Sequence, residues 1–278
     1  MKVIQTILDG NHYRYSFYPC RDSKQTLIFL LGALQDIESV QSFSTHFATK
    51  INCLTVEVPG TGNTQNLAST TSIREQAKML HNFINHLDIS TAHLAGFSYA
   101  TAIAVELCDI WPNVQSMSIC GGVPGIPTSG RLATKKMIAA SMDTSKTFAT
   151  SFTESLTVRN SDIPKNEAII RATKRNIAAM SQDRIDMFFE NSVRLLVHTP
   201  SNIHSITVPC TICVGEFDPY VTMQTAQNFA NQLKHSHLVV IKNADHLVHL
   251  QHPKKVAAIM LAQAETQQTL LNNLESFN

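Results

Sequence analysis

Length, composition and charge exclude several classes of protein at the outset. The 278 residues are enough for one large α/β domain, and a content of 44% hydrophobic and 15% charged residues excludes a disordered chain. A formal net charge of +1 gives no electrostatic basis for binding nucleic acid or an anionic membrane surface. No apolar stretch reaches the roughly 18 residues of a transmembrane segment, and Met1–Thr6 does not predict a signal peptide.

The six cysteines are spread through the chain, and several of them lie within apolar runs. Buried free thiols are typical of a cytoplasmic protein, which is the location we expect. Cys210 and Cys213 have the spacing of a metal or redox pair, but they lie in the strand-like run Val208–Val214. Because side chains alternate along a strand, the two sulfurs are predicted to point to opposite faces of the sheet. A zinc or redox role is therefore not expected there.

The first half of the chain alternates between strands and helices. Asp9-Gly10 predicts a hairpin between the strands Val3–Leu8 and His12–Tyr18. Four further strands are predicted at Thr26–Leu31, Cys53–Val58, Ala92–Ala95 and Ser116–Cys120. Helices are predicted at Ser39–Ala48, from the capping box Ser72–Glu75 to about Leu87, and at 99–110. Continuous apolar strands between amphipathic helices indicate a mostly parallel sheet covered by helices on both faces.

This alternation stops at Gly121–Pro127, and only helical patterns follow as far as about Ser205. It resumes with the strand Val208–Val214 and continues with a helix, a strand and a C-terminal helix, predicted at Met223–Leu233, Leu238–Ile241 and after Pro253. We therefore predict an α/β core made of residues 1–123 and 206–278, with residues 124–205 inserted as a helical cap.

Ser98 lies at a sharp turn between a strand and a helix. The run Ala92–Ala95 leads into Gly96-Phe97-Ser98-Tyr99-Ala100, and a helical pattern follows at once. A serine hydroxyl at such an apex can be aimed at a base, and Gly96 leaves room for the turn. The pattern alone also fits an ordinary turn in which Ser98 caps the helix.

An acid and a base follow Ser98 in the order that a Ser-acid-His site requires. Asp218 stands in the loop Gly215–Pro219 after a predicted strand, and His246 follows the next strand in Lys242–His246. Asp218 also fits a plain turn or cap residue, and His246 also fits a structural histidine. If Asp218 is not the acid, Glu216 and Asp245 are the next candidates.

The donors for a developing oxyanion are predicted at two backbone amides. Tyr99, after the serine, supplies one N–H group. The loop Leu30–Asp36 supplies the other, where Gly32 permits close approach and the Ala33 N–H is the expected donor. Gly32 also fits a plain turn at the end of a strand.

His246, His249 and His252, with a spacing of three, are also candidates for a metal site. Their place in a loop argues against a shared metal ion, so we expect neither a metal nor another cofactor.

With these residues in hand, the chain resembles the α/β-hydrolase superfamily over nearly its whole length. Gly32-Ala33 is similar to the oxyanion loop of that family, and Glu57–Gly62 to its acidic-x-Pro-Gly-x-Gly loop. The resemblance implies a Ser98-Asp218-His246 triad on the α/β-hydrolase fold. Three positions depart from the family pattern: Leu31 and Asp245 replace a His and a Gly, and Ala100 replaces the last elbow Gly.

A second resemblance concerns the C-terminal half. Gly215–Thr222, with Gln224–Phe229 and Gln182–Phe189, is similar to the bacterial 3-hydroxyacyl transferases, which include the rhamnolipid-precursor synthase.

These patterns predict a serine esterase or thioesterase that acts on a small-molecule ester or thioester with an apolar acyl chain. Leu34 and Phe97 of the core, with Met180, Met187 and Phe188 of the cap, are expected to line its pocket, although they also fit residues that pack the cap onto the core. Two alternatives remain: an acyltransferase with a hydroxyl or thiol acceptor, and a non-catalytic binding protein on this fold. The sequence does not predict an oligomeric state.

Overall fold

The fold is built on one eight-stranded sheet. The computed structural model describes residues 2–200 and 202–275, with side chains as far as residue 265. The strands follow the order β1-β2-β4-β3-β5-β6-β7-β8 across the sheet. Their bounds are β1 Ile4–Leu8, β2 Asn11–Tyr18, β3 Thr26–Leu30, β4 Asn52–Glu57, β5 Ala92–Phe97, β6 Val114–Cys120, β7 Cys210–Gly215 and β8 Ser236–Ile241.

The first two strands form the predicted antiparallel hairpin. β1 pairs with β2, and β2 pairs with β4, in antiparallel register. Asp9 and Gly10 turn the chain with φ angles of 51° and 74°. Two positive φ angles in succession match the turn that Asp-Gly favours in a two-residue hairpin.

The other six strands run parallel, and helices cover both faces. Alternate residues of β3 pack into different cores: Ile28 and Leu30 into one, Leu27 and Phe29 into the other. This alternation is why the strand reads as a continuous apolar run. The core helices are α1 Gln41–Phe47, α2 Ile73–His86, α3 Ala100–Ile110, α8 Met223–Ala230, α9 Val248–Gln251 and α10 Pro253–Glu275.

Four α-helices lie in the described part of the segment predicted as the cap. They are inserted between β6 and β7, at α4 Arg131–Ser141, α5 Ser145–Leu156, α6 Asn166–Ala178 and α7 Gln182–Val197. Phe148, Phe152 and Phe188 form a cluster of rings whose centroids lie 4.9 to 5.9 Å apart. The helices of this insertion therefore have an apolar core of their own.

The cysteines of β7 lie on opposite faces, as the period of a strand predicts. Cys210 packs in the core on one face and Cys213 in the core on the other. All six thiols are free. None of the helices in the described part of the chain has the length and apolar content to cross a membrane.

A buried carboxylate organises the loop after β4. Glu57, fully buried, accepts both hydrogen bonds of Arg14 Nη1, at 3.0 and 2.8 Å. It also accepts the N–H groups of Ile37 at 2.8 Å and Asn63 at 2.7 Å. Four charge-assisted or backbone hydrogen bonds compensate the desolvation of this carboxylate. Through them Glu57 joins the loop that contains Ile37 to the loop that contains Asn63.

Gly62 is predicted to be irreplaceable beside this carboxylate. Its φ is +60°, and a Cβ at this position would overlap the Glu57 carboxylate. Gly62→Ala is expected to lower the free energy of unfolding by about 3 kcal/mol, through overlap and backbone strain together. Gly10→Ala is the matched control, since Gly10 has a φ of +74° but nothing within 4 Å of an added Cβ. Urea unfolding of both variants checks this, and equal losses would contradict the role of Glu57.

Candidate active site

Ser98 occupies a strained position at the carboxyl end of β5. Its φ is 45°, in a region that non-glycine residues rarely adopt. The Ser98 N–H donates to the Cys120 carbonyl on the neighbouring strand at 3.0 Å. A Cβ on Gly96 would lie only 3.1 Å from that of Ala100, so the small residues on both sides permit the sharp turn. The turn therefore presents the serine hydroxyl above the edge of the sheet.

A second glycine allows the neighbouring loop to approach this turn. A Cβ on Gly122 would overlap the Thr101 hydroxyl and lie 2.7 Å from the Ser98 carbonyl oxygen. In the sequence, Gly121-Gly122 marked only the end of the alternating pattern. The close approach is between the loop after β6 and the turn and helix after β5, which are distant in sequence, so no local signal identified Gly122.

Ser98, His246 and Asp218 form a continuous chain of contacts. Ser98 Oγ lies 3.3 Å from His246 Nε2, and His246 Nδ1 lies 2.8 Å from Asp218 Oδ2. The other carboxylate oxygen of Asp218 accepts the N–H groups of Tyr220 and Val221, both at 2.8 Å. These bonds fix the carboxylate, which in turn orients the imidazole ring.

The two alternative acids have other partners. Glu216 accepts the N–H of Asn243 at 3.0 Å. Asp245 is fully buried and accepts the N–H of Leu247 at 2.9 Å and the side-chain amide of Gln251 at 2.8 Å. Of the three carboxylates, the structure therefore places Asp218 on the imidazole of His246.

The buried pair with Asp218 sets the proton affinity of His246. Burial by itself lowers the pKa of His246, since it penalises the charged ring. The charge of Asp218 and its hydrogen bond oppose this effect, with a further contribution from the charge of Asp245, and the pKa of His246 is raised overall. The His246 ring therefore binds a proton more tightly in this site than it would in water.

Asp245 links the loop that carries His246 to the inserted helices. Its carboxylate accepts the N–H of Val158, just after α5, at 3.2 Å. A glycine, which the family pattern has here, could not make this bond. Burial raises the pKa of Asp245, because a buried carboxylate has lost its water. The hydrogen bonds that it accepts compensate part of this cost. Sequence reasoning noted the departure but did not find this contact.

The two residues predicted to supply oxyanion donors border the same cavity as Ser98, which is described below. Ala33 and Tyr99 both line it. In the described part of the chain, neither N–H group donates a hydrogen bond. Gly32 lies close to its surroundings, since a Cβ there would be 3.1 Å from Gln35 Oε1 and 3.2 Å from the Phe97 carbonyl oxygen.

Gln35 and His249 hold the loop that carries Ala33. Gln35 Oε1 accepts the Gly32 N–H at 2.8 Å, so its Nε2 faces His249 Nε2 at 3.2 Å as the donor. The His249 ring must then be neutral to accept. Burial, with the charge of His246, lowers its pKa to about 4, which agrees with a neutral ring. Sequence reasoning had considered His249 only as a metal ligand.

Arg184 of α7 joins the cap to two core loops. Its Nη2 donates to the carbonyl oxygens of Leu34 at 2.8 Å and Gln35 at 3.3 Å. Its Nη1 donates to Asn63 Oδ1 at 2.9 Å and to the Gly62 carbonyl. Leu34 has a φ of 63°, which is strained for a residue other than glycine. By binding its carbonyl oxygen, Arg184 stabilises this strained residue next to Ala33.

A cavity of about 460 Å³ opens above Ser98. Four of the predicted pocket residues, Leu34, Phe97, Met180 and Phe188, line it. Met187 does not line this cavity and instead borders a neighbouring one of about 10 Å³. One residue along α7 turns the side chain by about 100°, which separates Met187 from Phe188. A volume of this size suits a small-molecule substrate.

The three clustered histidines have separate partners. His246 contacts Asp218 and Ser98, His249 contacts Gln35, and His252 Nε2 contacts the Asn243 carbonyl oxygen at 2.9 Å. Within residues 2–200 and 202–265 there is no group of three His, Cys, Asp or Glu side chains that could hold a metal ion.

Comparison with known proteins decides the family. Residues 29–259 match the alpha/beta hydrolase family. This chain belongs to that family. Among curated proteins it is similar to the (E)-2-((N-methylformamido)methylene)succinate hydrolase of Acinetobacter baylyi, with 22% identity over 95% of this chain and 99% of the relative. The general activity of the protein is therefore that of a hydrolase.

Solved structures show the same fold. MGS-M2, an alpha/beta hydrolase enzyme from a Medee basin deep-sea metagenome library, is similar with a TM-score of 0.82 and 16% identity, over 94% of this chain and 97% of that one. A thermophilic esterase from Thermogutta terrifontis is similar with a TM-score of 0.78 and 14% identity, over 96% and 99% of the two chains. At these identities the likeness concerns the fold.

Removal of the Arg184 guanidinium is predicted to loosen the loops it joins. Arg184→Met leaves the Leu34 and Gly62 carbonyls without their donor, and we expect a loss of about 2 kcal/mol in the free energy of unfolding. Amide exchange should also accelerate in residues 32–36 and 60–63. Arg175→Met, at an exposed arginine of α6, is the control and should change neither quantity. Unchanged exchange in Arg184→Met would contradict the link.

Proposed function

We propose that this protein hydrolyses a carboxylic ester or thioester with an apolar acyl chain, through a Ser98-His246-Asp218 triad and an acyl-enzyme. The observation that carries the proposal is the alignment of Ser98 Oγ, the His246 ring and the Asp218 carboxylate at distances of 3.3 and 2.8 Å. The largely apolar cavity above Ser98 supports it.

In this mechanism, His246 takes the proton of Ser98 as Oγ attacks the carbonyl carbon. Asp218 holds the proton on Nδ1 and stabilises the imidazolium that forms. The N–H groups of Ala33 and Tyr99 stabilise the oxyanion, and one such donor is typically worth about 3 kcal/mol of barrier. His246 then returns the proton to the leaving group, and water attacks the acyl-enzyme along the same path.

We assign the acyl chain to the cavity beneath the cap. The cap itself is proposed to consist of residues 124–205. Met137, Phe152, Ile177, Met180 and Phe188 give this side of the cavity an apolar wall. Apolar walls favour an acyl chain by burial of its surface, and flexible methionines adapt to its shape.

One prediction of this mechanism concerns Ser98 and the length of the acyl chain. Nitrophenyl esters from acetyl to dodecanoyl should be hydrolysed by the wild type, with an optimum beyond acetyl. Ser98→Ala should lower kcat/KM by about 10³-fold or more, because no other group supplies the nucleophile. Ser90→Ala, at an exposed loop serine, is the control. A folded wild type that labels with a phosphonate at Ser98 but hydrolyses no ester would indicate an acyltransferase. Activity confined to acetyl esters would reject the apolar chain.

Another prediction of this mechanism concerns the dependence of activity on pH. Activity requires neutral His246, so kcat/KM should rise with pH through the raised pKa of that ring. Asp218→Asn removes the larger of the two charges that raise the pKa of His246 while burial remains, so this acid limb should move to lower pH. The rate at its plateau should fall by about 10³- to 10⁴-fold.

Glu216→Gln provides the matched control, since Glu216 is adjacent in the chain but bonds to Asn243. Its pH profile should stay that of the wild type. An acid limb that moves in Glu216→Gln and not in Asp218→Asn would reassign the acid.

A further inference from the structure

The wall of the 460 Å³ cavity is uncharged apart from the ring that carries out the reaction. None of the described residues that line it is an aspartate, glutamate, lysine or arginine. Its two histidines are already engaged, His246 with Asp218 and Ser98 and His249 with Gln35. A carboxylate carried by the substrate chain would therefore lose its water without meeting a cation.

Two arginines close to the wall, Arg184 and Arg194, have their hydrogen bonds within the protein. Arg184 borders the small neighbouring cavity, where its guanidinium donates to four oxygens and lies 3.8 Å from Asp36. Arg194 is 1% exposed and donates to the carbonyl oxygens of Leu67, Ala68 and Thr71, to the Tyr99 hydroxyl and to Asn191 Oδ1. Neither guanidinium is therefore available to pair with a carboxylate in the main cavity.

Most neutral polar groups on the buried part of the wall also have partners. The Asn191 amide donates to the Gly60 carbonyl at 2.9 Å and accepts from Arg194. The Tyr220 hydroxyl lies 2.7 Å from the hydroxyl of Thr134. These groups maintain the shape of the cavity, and their hydrogen bonds are already made within the protein.

Ser192 differs from them. It lies on α7 between Phe188 and Leu195, at helical spacings that place all three on the cavity wall. The residue is only 6% exposed, yet its hydroxyl has no hydrogen bond to any residue in the described part of the chain. It is not among the side-chain atoms sealed away from solvent, so the hydroxyl is accessible from the cavity. A buried hydroxyl of this kind gains free energy from any ligand oxygen that reaches it.

We propose that the cavity binds an uncharged acyl chain that carries one further oxygen, as a hydroxyl or a carbonyl, and that Ser192 recognises this oxygen by a hydrogen bond. The inference rests on the proposed function only in assigning the cavity to the acyl chain. It excludes a dicarboxylic acyl group and makes Ser192 a residue that determines specificity.

Equilibrium binding tests this without turnover. Calorimetric titration of the wild type would compare octanamide with octanamides that carry a hydroxyl or keto oxygen at successive carbons, and with suberamic acid, the matching chain with a terminal carboxylate. At one position the oxygen should improve affinity by about fivefold or more, as expected for one neutral hydrogen bond. Suberamic acid should bind at least about 100-fold more weakly than octanamide, because its charge has no partner.

Ser192→Ala should reduce the ratio of oxygenated to plain affinity to one. Ser181→Ala, at an exposed serine on the N-terminal side of the same helix, is the matched control and should keep the wild-type ratio. Thermal unfolding of both variants verifies that they are folded.

Three results would overturn the inference: no oxygenated chain binds better than octanamide, the advantage survives in Ser192→Ala, or suberamic acid binds as tightly as octanamide. Failure of the proposed function is a separate outcome. A protein that hydrolyses no ester but shows the Ser192-dependent binding ratio would lose the esterase assignment and keep the binding site.

Discussion

The parallel direction of β5, β7 and β8 is the constraint on which the candidate site depends. Parallel neighbours end at the same edge of a sheet, so the loops after these strands meet there although the residues are far apart in sequence. His246 lies 148 residues from Ser98, yet the two side chains are in contact. The hydrogen bond between His246 and Asp218 then joins two of these loops and fixes the ring. Without parallel strands, no choice of residues in the turns would bring the three side chains together.

A second layer of hydrogen bonds keeps the surrounding loops in place. Glu57 joins the loop that follows Ala33 to the loop that contains Gly62, and Arg184 holds the same two loops from the cap side. Asp245 makes a similar link between the loop that carries His246 and Val158. The cap is thus connected by buried polar groups to both sides of the cavity. Such contacts are strong only when every member is satisfied, which makes the arrangement specific as well as stable.

The sequence predicted what local patterns determine. The hairpin at Asp9-Gly10, the alternating strands and the turn at Ser98 are each encoded within a few residues, and the structure has them. Contacts between distant segments could not be predicted in this way. Gln35 meets His249 across 214 positions and Arg184 meets Leu34 across 150. Met187 was misplaced relative to the main cavity because composition does not specify the rotation of a helix about its axis.

The left-handed backbone at Ser98 also bears on how this protein can evolve. A residue with φ of 45° stays there only because the surrounding strands and helix hold it. Glycine adopts that conformation at lower cost, so selection for thermal stability alone would drive this position toward a residue with no hydroxyl. If Ser98 is the nucleophile that we propose, this one side chain gives the protein its activity at the expense of its stability.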